Sequence, residues 1–107
     1  MNSQERKEFN AHLLTLTIDN TERLYDTVIE RAHRAMHQPA DNAVMRFTAW
    51  LKRYSKGTVK RMNPKDLTNE VLNGIDYEAL AYDYLDEAYE QYVYDRDKGK
   101  IKLADSF

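Results

Sequence analysis

The chain contains no cysteine, only three glycines and two prolines, and no apolar run approaching the roughly 20 residues that span a bilayer. The missing cysteines exclude a disulfide frame, a thiolate metal site and a cysteine nucleophile, and they suit a reducing compartment. The scarcity of glycine and proline removes the usual breakers, so long helices are expected. The opening MNSQERKEF is too polar for the apolar segment of a secretion signal, so a cytoplasmic protein is expected. Enzymatic motifs are missing too: there is no glycine-rich phosphate loop, no nucleophile elbow and no paired-histidine metal motif with a catalytic glutamate. No catalytic residue and no cofactor is therefore expected.

What the chain does have is charge. Of 107 residues, 32% are charged and 42% apolar, enough for one modest core. A single helical domain over residues 1–97 with a short tail at 98–107 is predicted. The formal net charge of −2 conceals an asymmetry. Residues 1–62 hold 11 basic and 7 acidic side chains, residues 63–97 hold 2 basic and 10 acidic, and the last ten hold three lysines and one aspartate. Six of the eight tyrosines lie between Tyr77 and Tyr94, inside the acidic zone. Segmental asymmetry of this kind says more about partners than the total does.

Apolar periodicity predicts an all-α bundle of four to five helices. The first has Ser3 as its cap and a stripe of Phe9, Leu13 and Leu16. Asp19 and Glu22 stand in capping-box spacing before a second helix, whose face carries Leu24, Val28, Ala32, Ala35 and Met36, widened by Tyr25 and Ile29. A third opens at Pro39 or Asp41, buries Val44, Phe47, Trp50, Leu51 and Tyr54, and stops at Lys56-Gly57. Thr58 to Met62 reads as loop or short strand. Asn63-Pro64 opens a short helix through Leu67, Val71 and Leu72 to Gly74, and Asp76 caps a long acidic C-terminal helix reaching Asp97.

On that last helix Asp76, Asp83, Glu90 and Asp97 recur every seven residues, with Asp86, Glu87 and Tyr94 on the same side. Tyr77, Ala81, Leu85, Ala88, Tyr89 and Tyr92 form the expected core face. Heptad-spaced carboxylates stand about 10 Å apart along a helix and neighbours three or four positions apart about 5–6 Å, a pattern broadly similar to the spacing of backbone phosphates. Like charges three or four positions apart cost a few tenths of a kcal/mol per pair, and no Lys or Arg between residues 66 and 95 relieves Asp83, Asp86, Glu87 and Glu90. A solvated face normally mixes both signs. This one is a candidate partner surface.

Two segments resemble the Ocr-type antirestriction proteins of phages and related mobile elements: Ala40-Asp41-Asn42-Ala43-Val44, and Tyr77 through Ala88, in which Tyr-Glu-x-Leu-x-x-Asp is followed by two acids and an alanine. The resemblance implies a small, helical, dimeric DNA mimic that occupies the DNA groove of restriction-modification enzymes; the expected partner is a host DNA-binding defence enzyme, restriction-modification or CRISPR, in the host cytoplasm. The matched acids are Glu78, Asp83, Asp86 and Glu87. The chain departs from that family in its basic residues Arg46, Lys52, Arg53, Lys56, Lys60 and Arg61 and in its lysine-rich tail. A mimic acting through one face fits better than a uniformly acidic one.

Two other constellations offer alternatives. Lys52, Arg53, Lys56, Lys60 and Arg61, with Tyr54 available to stack, would suit a small helical nucleic-acid-binding or regulatory protein. The same residues could instead complement a helix C-terminus or pair with the acidic helix. Glu30, His33 and His37 share one side of a helix at metal-ligand spacing, but no third segment repeats the unit, so no metal is expected. Phe47 and Trp50 read as core first and as a dimer seam second.

Overall fold

Each helix forms where its apolar residues can be buried together. The computed structural model describes residues 1–38 and 40–97, except for the side chains of Ala40, Asp41, Arg96 and Asp97, so Pro39 and the tail at 98–107 lie outside the described residues. It is all-α: α1 (Ser3–Asp19), α2 (Glu22–Met36), α3 (Ala40–Tyr54), α4 (Lys60–Met62), α5 (Asn69–Asn73) and the long acidic α6 (Tyr77–Asp97). α3 and α4 are one rod, joined through a π-helical turn at Ser55–Val59, which makes five helices in all among the described residues. None of them is long and apolar enough to cross a membrane.

α2, α3 and α6 pack mutually, and α1 lies against α2, α5 and the π-helical turn. The α2 stripe is as expected: Leu24, Val28, Ile29, Ala32 and Ala35 are buried, with Tyr25 and Met36 packed at their edge. Buried residues of every longer helix join them in one continuous apolar cluster.

Several expectations from the sequence are corrected. On α1 the buried line is Asn10, Leu14 and Ile18, while Phe9 is 50% exposed and Leu16 also faces solvent. Periodicity counts Asn10 as polar, but its Nδ2 donates to the Gly74 carbonyl at 3.1 Å, which satisfies the amide on the buried side. The cap is Asn2, whose Oδ1 accepts from the Glu5 amide at 2.8 Å, so Ser3 is already helical.

Gly57 does not stop the third helix. Ala43, Phe47, Leu51, Ser55 and Val59 are all buried at a strict spacing of four. In an α-helix each such step drifts about 40° around the axis, so a stripe of this length would wind off the core. One turn of i→i+5 bonding takes up the extra residue and returns Val59, fully buried, to the interior. The residues read as loop or strand therefore continue the rod.

The short helix starts at Asn69 rather than at Pro64. Leu67 is drawn wholly into the core, and Thr68 caps α5 by accepting from the Val71 amide at 3.2 Å. Asn63 instead ends α4, its Nδ2 donating to Thr17 Oγ1 at 3.1 Å and to Asp66 Oδ2 at 3.2 Å. Asp19, expected in a capping box, closes α1, and Thr21 occupies the α2 cap without a side-chain bond.

Candidate functional site

α6 is set on the core by Tyr77, Leu80, Ala81, Tyr84 and Ala88, all buried. Two of these are also pinned through their hydroxyls. Tyr77 donates to the Leu72 carbonyl at 2.8 Å and Tyr84 to Asp19 Oδ1 at 3.1 Å. Burial pushes the Tyr77 phenol up to about 12 and raises that of Tyr84 as well, the latter helped by the neighbouring Asp19 charge. Asp19 is raised by its own desolvation, against which the Tyr84 bond acts. With that side fixed, the orientation of α6 is fixed, and so is what it presents outward.

Asp76, Asp83, Asp86 and Glu90 lie on the outward side, all exposed, and Glu78 is exposed on the flank toward α3. Asp76 has a local duty, since its Oδ1 accepts from the Ala79 amide at 3.1 Å and caps the helix as expected. Asp76 and Asp83 also border a groove of about 280 Å³ shared with Lys7 and His12 of α1. Asp83, Asp86 and Glu90 have no cation within ion-pair distance among the described residues, where the one ion pair is Arg34 with Glu30 on α2. Tyr94 is exposed in the last turns, and the side chain of Asp97 lies outside the described residues.

Glu87 departs from its neighbours. It is half-buried and accepts from the Tyr25 hydroxyl of α2 at 2.9 Å, while Gln91 Nε2 donates to the same hydroxyl at 2.6 Å. Burial first, then this carboxylate, pushes the Tyr25 phenol up to about 12. Glu87 thus braces α6 against α2, and the stripe is narrower than heptad counting implies.

Tyr89 is corrected in the other direction. Assigned to the core face by periodicity, it is 58% exposed, and Tyr82, seven residues before it, is exposed as well. The bundle narrows onto Tyr84 and Ala88 and leaves the Tyr82–Tyr89 line outside. The outer face is therefore a double row, Tyr82 beside Asp83 and Tyr89 beside Glu90. The seven-residue spacing of the two tyrosines, parallel to that of the acids, is the signal that marks them in the sequence.

The residues of the basic run have different surroundings. Lys52 turns toward α6, its Nζ 6.0 Å from the Tyr77 ring centroid, and lines the α3–α6 groove with Glu78. Lys60 Nζ donates to Asn69 Oδ1. Arg53, Lys56 and Arg61 are exposed. Because the rod ends at Met62, Lys60 and Arg61 occupy the last turn, where positive charge complements the helix dipole, and Lys52 sits mid-rod. The potential ligands on α2 are also turned to other uses: Glu30 accepts from Arg34 at 2.6 Å, and His37 packs edge-on against Tyr92 with ring centroids 5.9 Å apart. No group of three or more potential metal ligands occurs among the described residues.

The outer side of α6 can offer a row of fixed negative charges flanked by phenol rings, a surface suited to a basic groove rather than to bond-making chemistry. Neither a family model, nor a curated protein, nor a solved structure matches the chain.

Proposed function

We propose that the protein is an anti-defence inhibitor, carried by a phage or another mobile element, that occupies the DNA groove of a host DNA-handling defence enzyme with the outer face of α6. The observation that carries this reading is the exposure of Asp83, Asp86 and Glu90 on one side of a rigidly seated helix, with no cation within ion-pair distance among the described residues. A helix that keeps unrelieved like charges side by side gives up stability, and a basic partner recovers it. Asp83 and Asp86, and Asp86 and Glu90, are neighbours on the helix surface about 5–6 Å apart, a separation broadly similar to that of successive backbone phosphates. Tyr82 and Tyr89 supply flat amphipathic contact beside the charges, as aromatic anchors do in protein interfaces. The likeness of Tyr77 through Ala88 to the acidic helix of Ocr-type proteins points the same way.

The mechanism is competitive occupation. The acidic face is steered to the positively charged groove, excludes DNA while bound, and dissociates faster as salt screens the attraction. No bond is made or broken, so the protein is not an enzyme and needs no cofactor. It acts in the cytoplasm of the host.

The test is a DNA-cleavage assay with a restriction-modification enzyme or a CRISPR effector, run with the wild type and with Asp83→Lys/Asp86→Lys/Glu90→Lys. Glu87 is left intact because it holds Tyr25. The triple variant is expected to keep its helical circular dichroism and lose inhibition. Undiminished inhibition by a folded triple variant overturns the reading.

A further inference from the structure

A basic feature of the described residues lies apart from α6. The outer groove between α2 and α3, to which α6 contributes nothing, has a volume of about 260 Å³ and is lined by Arg31, Arg34, Gln38, Arg46 and Trp50 among others. Three arginines from two helices line it. Among the described residues no carboxylate lines the groove. Arg34 pairs with Glu30 of its own helix, an exposed contact of the kind worth little, whereas Arg31 and Arg46 have no acidic partner within ion-pair distance among the described residues.

One of the three is preset. The Arg31 guanidinium carbon lies 4.9 Å from the Trp50 ring centroid, and Trp50 is itself stacked between Phe47 at 5.9 Å and Tyr54 at 4.7 Å, with interplanar angles of 18° and 16°. A cation held over an indole that is itself stacked on neighbouring rings has already lost part of its side-chain freedom, so binding through it costs less entropy. The Trp50 ring is committed within this stack, so a ligand gains from charge and not from stacking on the indole.

We propose that the α2–α3 groove binds a phosphate monoester, with Arg31, Arg34 and Arg46 around its dianionic terminal phosphate. Guanidinium forks match phosphate oxygens bidentately, and two forks free of acidic partners suit two negative charges better than the single charge of a diester. The volume falls below the roughly 300–1,000 Å³ of drug-sized sites, which fits a phosphate with a small body attached. Gln38, at the end of α2, is placed to offer its amide to that body. The monoester can come from a free small molecule or from the 5′ end of a nucleic acid, both of which present the same group.

The sole tryptophan of the chain is Trp50, so its fluorescence reports on this groove alone. The folded protein is titrated with inorganic phosphate, with adenosine 5′-monophosphate and with adenosine, against sodium chloride at matched ionic strength. Phosphate and the monophosphate are expected to give saturable changes, and adenosine and chloride none. Arg31→Gln and Arg46→Gln should each weaken binding by about tenfold, read also by calorimetry because Arg31→Gln alters the emission itself. Arg61→Gln, on the exposed last turn of the rod, should leave it unchanged. Oligonucleotides of one sequence with and without a 5′-phosphate identify the source: tighter binding of the phosphorylated strand than of the mononucleotide assigns a nucleic-acid end, and the reverse assigns a free metabolite. The proposal is overturned if phosphate and the monophosphate give no saturable signal, if Arg31→Gln and Arg46→Gln bind as the wild type does, or if the 5′-hydroxyl strand binds as tightly as the monophosphate.

Discussion

The outer face of α6 and the outer groove of α2–α3 carry opposite charge and are built on opposite principles. The acidic face belongs to one helix. Asp83, Asp86 and Glu90 share a side because 3.6 residues make a turn, and their carboxylates stand clear of cations among the described residues. The basic groove belongs to two helices. Arg31 and Arg34 come from α2 and Arg46 from α3, and the pose of Arg31 is set by Trp50. A surface drawn from one helix survives any rearrangement that leaves that helix folded. A surface drawn from two exists only while their packing holds. The first suits broad electrostatic docking on a macromolecule, the second a small ligand held from several directions.

The sharpest way to break this comparison is to change each side separately. Reversing Asp83, Asp86 and Glu90 to Lys should reduce inhibition of a DNA-handling enzyme by more than about a hundredfold, because each lost charge contact across an interface costs about 1.5–3 kcal/mol. The same variant should leave the phosphate response of Trp50 in place, and Arg31→Gln/Arg46→Gln should do the opposite. Equal damage to both functions by either variant would merge the two surfaces into one.

Next in size is the joint that fixes where α6 begins. A Cβ on Gly74 would come within 2.6 Å of Asn10 Nδ2, the atom that donates to the Gly74 carbonyl. Gly74→Ala therefore displaces a buried amide from its acceptor, and urea unfolding should show a loss of about 1–3 kcal/mol. The α2–α3 groove, which that joint does not touch, should keep its phosphate affinity under native conditions.

The tyrosines that seat α6 make the protein sensitive to alkali. Tyr25 and Tyr77 are pushed from the ordinary 10.0 up to about 12, and Tyr84 is raised also. Raised folded-state values mean that the folded chain keeps protons which the unfolded chain gives up, so their contribution is complete below pH 10 and falls as pH climbs toward 12. Denaturant midpoints measured across that window should decline with pH, and Tyr25→Phe should soften the decline. It also removes the donor that holds Glu87 inward.

Smaller effects are expected at Asp19 and Gly57. Asp19 is raised above its ordinary 3.8 by desolvation, so the folded chain binds its proton more readily than the unfolded one. Stability from this group therefore increases as pH falls through its folded value, and Asp19→Asn should raise stability at neutral pH while retaining an acceptor for Tyr84. At Gly57 a Cβ meets nothing within 4 Å, and the residue lies inside a continuous rod. Gly57→Ala should add about 0.5–1 kcal/mol, measured by thermal or urea unfolding.

Much of this architecture was legible in the residues. The α2 stripe, the Asp76 cap and the extent of α6 to Asp97 follow from local spacing, since burial on one side of a helix leaves a periodic trace. The exposed acids of α6 were legible for the same reason. Other features left no such trace. Asn10 reads as a surface residue until the Gly74 carbonyl is brought against it, and Gly57 reads as a stop until Val59 is buried beyond it. Glu87 and Tyr89 exchange their expected roles because the width of the buried face depends on how closely α2 approaches α6.

The sequence by itself determined the helical class and the concentration of negative charge on α6, because both are properties of residues near one another along the chain. Tertiary structure alone turned Glu87 inward and Tyr89 outward, carried the third helix through a π-helical turn to Met62, and brought three arginines to one groove beside Trp50. Those outcomes depend on contacts between residues as much as 66 positions apart, such as Tyr25 with Gln91. Such contacts have no period to read, because they are set by the packing of whole helices and by the partners that buried polar groups require.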